Sequence, residues 1–206
     1  MKRPRSSTRV LLAAATFVAA APTAHAHSTV EGLGEFTNGL VHPLFLTTHV
    51  LLLVAMGLLL SKQRPFDPRR PLLAFAIASV VGLAIGSTLG LEVLPPAYLL
   101  GATVAIAIVL ATDWQLHPKL RIPFAILAGL LLGMDSHPEN LPDRTAFLKA
   151  AIGVWLGLSV WFMTAAYYPS LLPERKWANY AVRVLASWII AIAVMVLALS
   201  FRKTSA

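Results

Sequence analysis

Cysteine is absent from this 206-residue chain, and charged residues make up only 13% of it. Without cysteine there are no disulfides, thiolate ligands or cysteine nucleophiles, so any metal chemistry relies on His, carboxylate, Met or backbone groups. The chain also has no Gly-x-x-x-x-Gly-Lys-Ser/Thr loop and no Gly-x-Ser-x-Gly segment. These absences argue against ATP-driven pumping by this chain alone and against serine-protease chemistry, and we expect no enzymatic activity.

Apolar residues dominate instead, at 57% of the chain, with a mean hydropathy of +0.72. This composition is too apolar for a soluble domain, which indicates that the lipid bilayer surrounds the protein. The predicted fold class is all-α, a polytopic transmembrane helical bundle of about six helices after a cleaved signal peptide. The net charge of +8 comes from basic residues between apolar runs. They set orientation in the membrane, so nucleic acid is not an expected partner.

Residues 1–26 have the features of a secretory signal peptide. A basic start precedes an apolar run from Val10 to Ala21, and small residues flank a cleavage site at Ala24–Ala26. Cleavage there leaves His27 as the mature amino terminus, where its α-amine and imidazole are both potential metal ligands. An uncleaved signal anchor is the alternative.

Residues 27–206 are predicted to form a single membrane domain. Loops rich in Lys and Arg alternate with acidic or neutral loops, which predicts the inner membrane of a bacterium and a periplasmic mature amino terminus. The apolar runs predict transmembrane helices at about 38–60, 71–92, 96–113, 120–135, 145–167 and 178–201.

Glycines recur every fourth residue in two of these helices. Gly82, Gly86 and Gly90 form one stripe, and Gly153 and Gly157 form another. Small residues at this spacing allow helix backbones to approach closely in lipid. The stripes therefore predict close helix packing and not a binding site.

The first predicted helix carries two histidines seven residues apart, His42 and His49, with Met56 a further seven residues on. Seven residues turn a helix through about 700°, so the three side chains are predicted to share one face. Pro43 is placed where it can break or kink the helix. Ionisable residues inside a span usually face the bundle interior and mark a function. The structural alternative is an interfacial His42 and a hydrogen-bonded packing role for His49.

A second polar segment, from Gly133 to Asn140, follows the fourth predicted helix and contains Asp135, His137 and Glu139. Imidazole suits nickel, cobalt, copper and zinc, while carboxylates add charge and orient ligands. The alternative is a polar turn in which Asp143 caps the next helix. Both interpretations are compatible, because a turn can cap a helix and bind an ion.

These two segments resemble the HupE/UreJ family, small membrane proteins associated with hydrogenase and urease systems and regarded as nickel or cobalt permeases. The likeness covers essentially the whole mature chain. The family's first pattern is His, five residues, then Asp-His. His42 and His49 match it, whereas Thr48 occupies the position of the Asp.

The family's second pattern is approximately Phe-His-Gly-x-Ala-His-Gly-x-Glu. With its second His placed on His137, Gly133 occupies the position of the first His and Asn140 that of the Glu. Glu139 is one place off, and Asp135 is an additional acid.

The resemblance implies a permease that moves Ni²⁺ or Co²⁺ from periplasm to cytoplasm, with the metal transported and not permanently bound. The predicted metal-binding residues are those at the outer face and those on the first helix. They are His27, Asp135, His137 and Glu139 at the outer face, followed by His42 and His49.

Two alternatives belong to other classes. A non-transporting assembly or anchoring subunit of a metalloenzyme system is favoured by Thr48 and Gly133, where the family has ligands. A haem-binding electron-transfer protein with His49 and His137 as axial ligands is the less favoured alternative. A homo-oligomer and metalloenzyme maturation proteins are the partners that the resemblance leaves open.

Overall fold

The computed structural model describes residues 32–62, 65–89, 94–114, 117–138, 141, 143–173 and 175–203. The predicted signal peptide, His27 and Glu139 lie outside this part of the chain. Within it the regular structure is helical, which confirms the all-α fold class. There are seven α-helices: α1 Glu35–Phe45, α2 Thr47–Ser61, α3 Arg69–Leu89, α4 Pro96–Ala111, α5 Arg121–Asp135, α6 Arg144–Ser170 and α7 Lys176–Lys203.

Three helices are long and apolar enough to cross a membrane, namely α3, α6 and α7. The consecutive helices α1 and α2 pass the same test as a pair, which gives up to four candidate spans. Helix α4, with 16 residues, and α5, with 15, are shorter than the roughly 20 residues that a span usually needs. The predicted total of six crossings therefore stays a prediction for these two helices.

The sequence predicts one helix over residues 38–60, but the structure has two. Leu46 separates them with an extended backbone, at φ −101° and ψ 114°, and the helices meet at a bend of 75°. Its carbonyl oxygen accepts from the backbone N–H groups of His49 and Val50, both at 3.0 Å, and so starts α2. Pro43 lies in the last turn of α1, where it has no N–H to continue the helical hydrogen bonds.

Helices α3 and α5 pack closely along their glycine stripes. A Cβ built on Gly86 would lie 2.6 Å from the Met134 carbonyl oxygen, and one built on Gly133 would overlap the carbonyl oxygen of Ser79. Residue numbers at the contacts increase in the same direction along both helices, from Gly82 against Leu130 to Gly86 against Met134. Helices α3 and α5 therefore run parallel. The predicted close packing at Gly86 is confirmed, as it is at Gly82, which approaches the Leu130 carbonyl.

Helices α1 and α6 form a second closely packed parallel pair. Gly153 and Gly157 of α6 lie against the carbonyls of Phe36 and Leu40, one turn apart on α1. Gly39 completes the contact from the α1 side. The predicted packing role of the second glycine stripe is therefore confirmed, while Gly90 of the first lies outside the described residues.

Helix α6 joins the two pairs. The indole of Trp155 donates to the carbonyl oxygen of Ala76 in α3 at 3.1 Å, and that of Trp161 donates to Leu40 in α1 at 3.1 Å. Phe162 stacks on Phe75 with ring centroids 4.5 Å apart, and both side chains are fully buried. Because each indole N–H finds a backbone acceptor, these large side chains pack inside without leaving a polar group unsatisfied.

The bundle has two polar ends. At the histidine end, His49 of α2 meets Asp135 of α5 and the backbone before α4. At the basic end, Lys62 after α2, Asp113 after α4 and Asn179 of α7 meet. The two clusters therefore mark opposite ends of α2 and α4.

Candidate functional site

The bend between α1 and α2 brings His42 and His49 together. Their ring centroids are 5.8 Å apart, with the rings inclined at 71°. In an uninterrupted helix, seven residues would separate the two positions by about 10 Å along the axis. The predicted shared face of a single helix is thus replaced by a corner, which places the second imidazole beside the first.

His49 forms the central contact of the site with Asp135. Its Nε2 lies 2.7 Å from Oδ2 of the carboxylate, and the two side chains are 0% and 7% exposed. The residues are 86 positions apart in the chain. The glycine-lined contact between α3 and α5 fixes the end of α5 from which Asp135 projects. The structure therefore joins the two polar segments that the sequence shows separately.

Asp135 also accepts a hydrogen bond from the backbone just before α4. Its Oδ1 accepts from the backbone N–H of Leu94 at 3.1 Å, just before Pro95 and Pro96. Hydrogen bonds from an N–H group and an imidazole give each carboxylate oxygen a partner, which offsets the loss of water around this buried group. Asp135 thus connects the start of α2, the approach to α4 and the end of α5.

The hydrogen bonds also define the His49 tautomer. A carboxylate oxygen only accepts, so Nε2 carries the proton that is shared with Asp135. In the neutral ring the lone pair is then on Nδ1, which lies 3.5 Å from the Ser136 hydroxyl oxygen. A carboxylate that accepts from one ring nitrogen and leaves the lone pair on the other is the usual arrangement around a metal-binding histidine.

His137 lies two residues beyond Asp135 and belongs to the same end of the bundle. Its Nδ1 donates to the Met134 carbonyl at 2.8 Å, so the lone pair of the neutral ring is on Nε2. The ring packs against α3, where a Cβ built on Gly86 would lie 2.9 Å from Nδ1. Gly86 therefore makes room for this histidine as well as for α5.

The structure brings together three of the six predicted metal-binding residues: His42, His49 and Asp135. Among the residues that the structure describes, no group of three or more His, Cys, Asp or Glu side chains is arranged to hold a metal ion. The described part of the cluster is therefore two imidazoles and one carboxylate that do not form a coordination shell. His27 and Glu139 lie outside it.

Two groups of the site are not predicted from the sequence, the Ser136 hydroxyl and the Leu94 N–H. Ser136 is buried and directly follows Asp135, so its place in the polar segment was the available signal. The Leu94 N–H is a backbone group, and its use depends only on where α4 meets α5. The predicted cap is confirmed, because Asp143 Oδ1 accepts from the Ala146 N–H at 2.7 Å at the start of α6.

Apolar helices with a buried imidazole–carboxylate pair between them define an integral membrane protein with a polar site inside its helical bundle. The family model described as HupE / UreJ protein matches residues 14–197, and the chain belongs to this family. The resemblance seen in the two histidine segments is thereby confirmed. The family is associated with nickel and cobalt uptake, and its membrane transporters are generally not enzymes. No curated protein and no solved structure matches the chain.

Proposed function

We propose that this protein is a permease that carries a divalent transition metal, Ni²⁺ or Co²⁺, from periplasm to cytoplasm. The observation that carries the proposal is the buried His49–Asp135 pair with His42 beside it. Ionisable groups are expensive inside a bilayer and usually mark an ion or proton path. Imidazole together with carboxylate is a ligand set suited to these metals.

The ion is received at the corner between α1 and α2. His42 and His49 bring two imidazoles together there, and the last carbonyls of a helix have no partner within it, as at the Leu46 break. Non-helical backbone at membrane depth is tolerated where it lines a cavity or a site. The corner is therefore a place where backbone oxygens supplement two imidazoles.

Asp135 supplies the negative charge in this proposal. The family pattern has an Asp at the position of Thr48, directly before the second histidine. In this chain the carboxylate comes from α5 and contacts the same imidazole, at 2.7 Å. A carboxylate from another helix thus takes the place of the missing neighbour, and the Thr48 departure does not remove acid from the site.

A site for transport needs no closed coordination shell. Conduction needs binding that is favourable enough for entry and weak enough for release. A neutral imidazole can bind a metal ion and release it by ligand exchange with a water molecule. His137, His27 and Glu139 complete the proposed route as capture groups at the periplasmic face.

The direct test is cellular accumulation of nickel and cobalt at limiting supply, measured at matched membrane abundance. The intact protein should raise accumulation, and His42→Ala, His49→Ala and Asp135→Asn should each reduce the gain at least about tenfold, the loss expected for one essential ligand. His117→Ala is the matched control, because this exposed histidine lies in the loop before α5, at the other end of that helix from Asp135. Accumulation that is unchanged by the intact protein for either metal would exclude the proposal.

A non-transporting assembly subunit is the second candidate, and one observation favours it. His49 and Asp135 already bond to each other, and the Leu94 N–H bonds to the carboxylate, so the pair is satisfied without an ion. If the protein is such a subunit, Asp135→Asn should lower the amount of folded protein in the membrane. The intact protein should then produce no increase in metal accumulation. Comparing protein abundance with metal uptake in the same cells separates the two functions.

A further inference from the structure

A cavity of about 340 Å³ opens at the basic end, among the ends of α2, α6 and α7. Ser61 and Lys62 line it from α2, Pro169 from α6, and the first two turns of α7 from the other side. This cavity is separate from the histidine site, since Lys62 and His49 lie at opposite ends of α2.

The described residues that line the cavity carry charge of one sign. Lys62, Arg175 and Lys176 all contribute to it, and none of the described residues that line it is acidic. Lys62 is paired with Asp113, whose other oxygen accepts from the Asn179 amide at 2.7 Å. Asp113 thus fixes two lining residues in place, while Arg175 and Lys176 supply exposed positive charge beside the amino-terminal end of α7.

The uncharged lining is apolar. Leu172 is partly buried, Ala178 and Val182 are buried, and two prolines complete the wall. A small inorganic anion gains nothing from such a surface. A phosphate ester that carries hydrocarbon matches both halves of the cavity, because its anionic group meets the cations while its chain covers the apolar wall.

The position of the cavity relative to the bilayer agrees with this chemistry. Helix α6 has 27 residues, so its length of about 40 Å exceeds the ~30 Å hydrocarbon core and its end reaches the headgroup level. Tyr168 and Trp177, the chain neighbours of the lining residues Pro169 and Lys176, are exposed, as is Tyr167. Such aromatic side chains collect at the membrane–water interface.

We propose that this cavity binds the phosphate headgroup of an anionic phospholipid, with Arg175 and Lys176 as the principal contacts and Lys62 at its base. Basic pockets between transmembrane helices at an interface are suited to such headgroups. The bound lipid bridges α2, α6 and α7, and α2 also carries His49 at the other end of the bundle. This inference does not depend on the proposed transport function.

The test is lipid binding to the full-length purified protein in detergent, followed by native mass spectrometry with phosphatidylglycerol and phosphatidylcholine. The intact protein should retain phosphatidylglycerol preferentially. Arg175→Gln/Lys176→Gln should weaken its binding about tenfold, the effect of two basic contacts near a membrane surface. The matched control is Arg69→Gln/Arg70→Gln, because these two adjacent, exposed cations at the start of α3 do not line the cavity. The control should change binding less than about twofold.

A second variant tests the apolar wall. Leu172→Asn keeps every charge and should still weaken phosphatidylglycerol binding by about threefold or more, through the loss of apolar contact with the lipid. An equal loss of phosphatidylglycerol binding in both double variants would overturn the proposal, because it would show that the lipid is attracted by positive surface charge in general. It would also be overturned if inorganic phosphate displaced the lipid completely at equal concentration, since the site would then take a free anion.

Discussion

The two ends of the bundle each contain one cationic or imidazole side chain paired with one carboxylate, but they differ in burial. His49 and Asp135 are 0% and 7% exposed, whereas Lys62 and Asp113 are 22% and 29% exposed. Water screens the second pair and not the first. The same kind of contact therefore fixes structure at the histidine end, where it is shielded from water, but contributes mainly to orientation and surface charge at the basic end.

Their neighbours reinforce the difference. Asp135 takes its further hydrogen bond from a backbone N–H, and its helix is held by backbone contacts at glycine. Asp113 takes its further bond from the Asn179 side chain and lies in a turn with φ of 56°, an uncommon value for a residue with a Cβ. The histidine end is therefore built from rigid contacts and the basic end from side chains that can exchange with water.

The largest expected effect comes from removing the buried carboxylate. Asp135→Ala should lower the free energy of unfolding by about 3 kcal/mol, because it leaves a buried imidazole and the Leu94 N–H without their partner. Asp135→Asn keeps a hydrogen-bonding side chain of the same shape and should cost about 1 kcal/mol. Denaturant unfolding in detergent measures both. An equal loss of unfolding free energy in the two variants would show that the charge of Asp135, and not its hydrogen bonding, stabilises the histidine end.

The next effect tests the helix contact that positions Asp135. Gly133→Ala should destabilise the protein by about 2 kcal/mol, because the added Cβ would overlap the Ser79 carbonyl and push α5 away from α3. The matched control is Gly101→Ala in α4, where nothing lies within 4 Å of the built Cβ. That change should be neutral or stabilising by up to about 1 kcal/mol, through a better helix propensity.

A comparison of thermal unfolding midpoints of the two variants decides the point. If Gly133→Ala is as well tolerated as Gly101→Ala, the close contact between α3 and α5 is not needed for stability. If it also reduces metal accumulation at matched abundance, the contact serves the proposed site as well as the fold.

The smallest effect belongs to the exposed pair. Asp113→Asn should cost no more than about 1 kcal/mol at neutral pH. Hydrogen bonds from Lys62 and Asn179 lower the pKa of the Asp113 carboxyl below its usual value of 3.8. A lowered folded-state pKa gives stability that is present above the unfolded pKa and is lost as the pH falls through the folded one.

The difference in thermal midpoint between the intact protein and Asp113→Asn should therefore be constant from neutral pH to about pH 5 and close below about pH 4. Lys62→Gln should produce the same pH profile, because Lys62 is the main source of the lowered pKa. A difference that persists undiminished in acid would show that the carboxylate charge is not what the contact provides.

Helix packing shows how far local sequence signals reach. Glycines four residues apart predict close contact, and Gly86 and Gly157 both make it, because a missing side chain is a property of the residue itself. The Asp143 cap follows in the same way from an acid three residues before an available N–H. The glycine spacing does not predict which helix packs against each stripe or in which direction that helix runs.

The candidate site shows where those signals stop. The seven-residue spacing of His42 and His49 predicts a stripe on one straight helix, but the break at Leu46 replaces the stripe with a corner. Pro43 signals a weakened helix without specifying which residue becomes extended. The contact between His49 and Asp135 spans 86 residues, so no local pattern contains it.

The sequence by itself determined the helical, membrane-embedded class of this protein and its family, and it supplied the candidate metal-binding residues as a prediction. Composition, apolar run length and side-chain type decide how segments partition between lipid and water, and they do so without tertiary contacts. Only the tertiary structure decided that Asp135, from α5, is the carboxylate that meets His49, and that three cations surround one apolar cavity at the other end. Those pairings depend on backbone approach between distant helices, where small residues and a broken helix set distances that no single segment encodes.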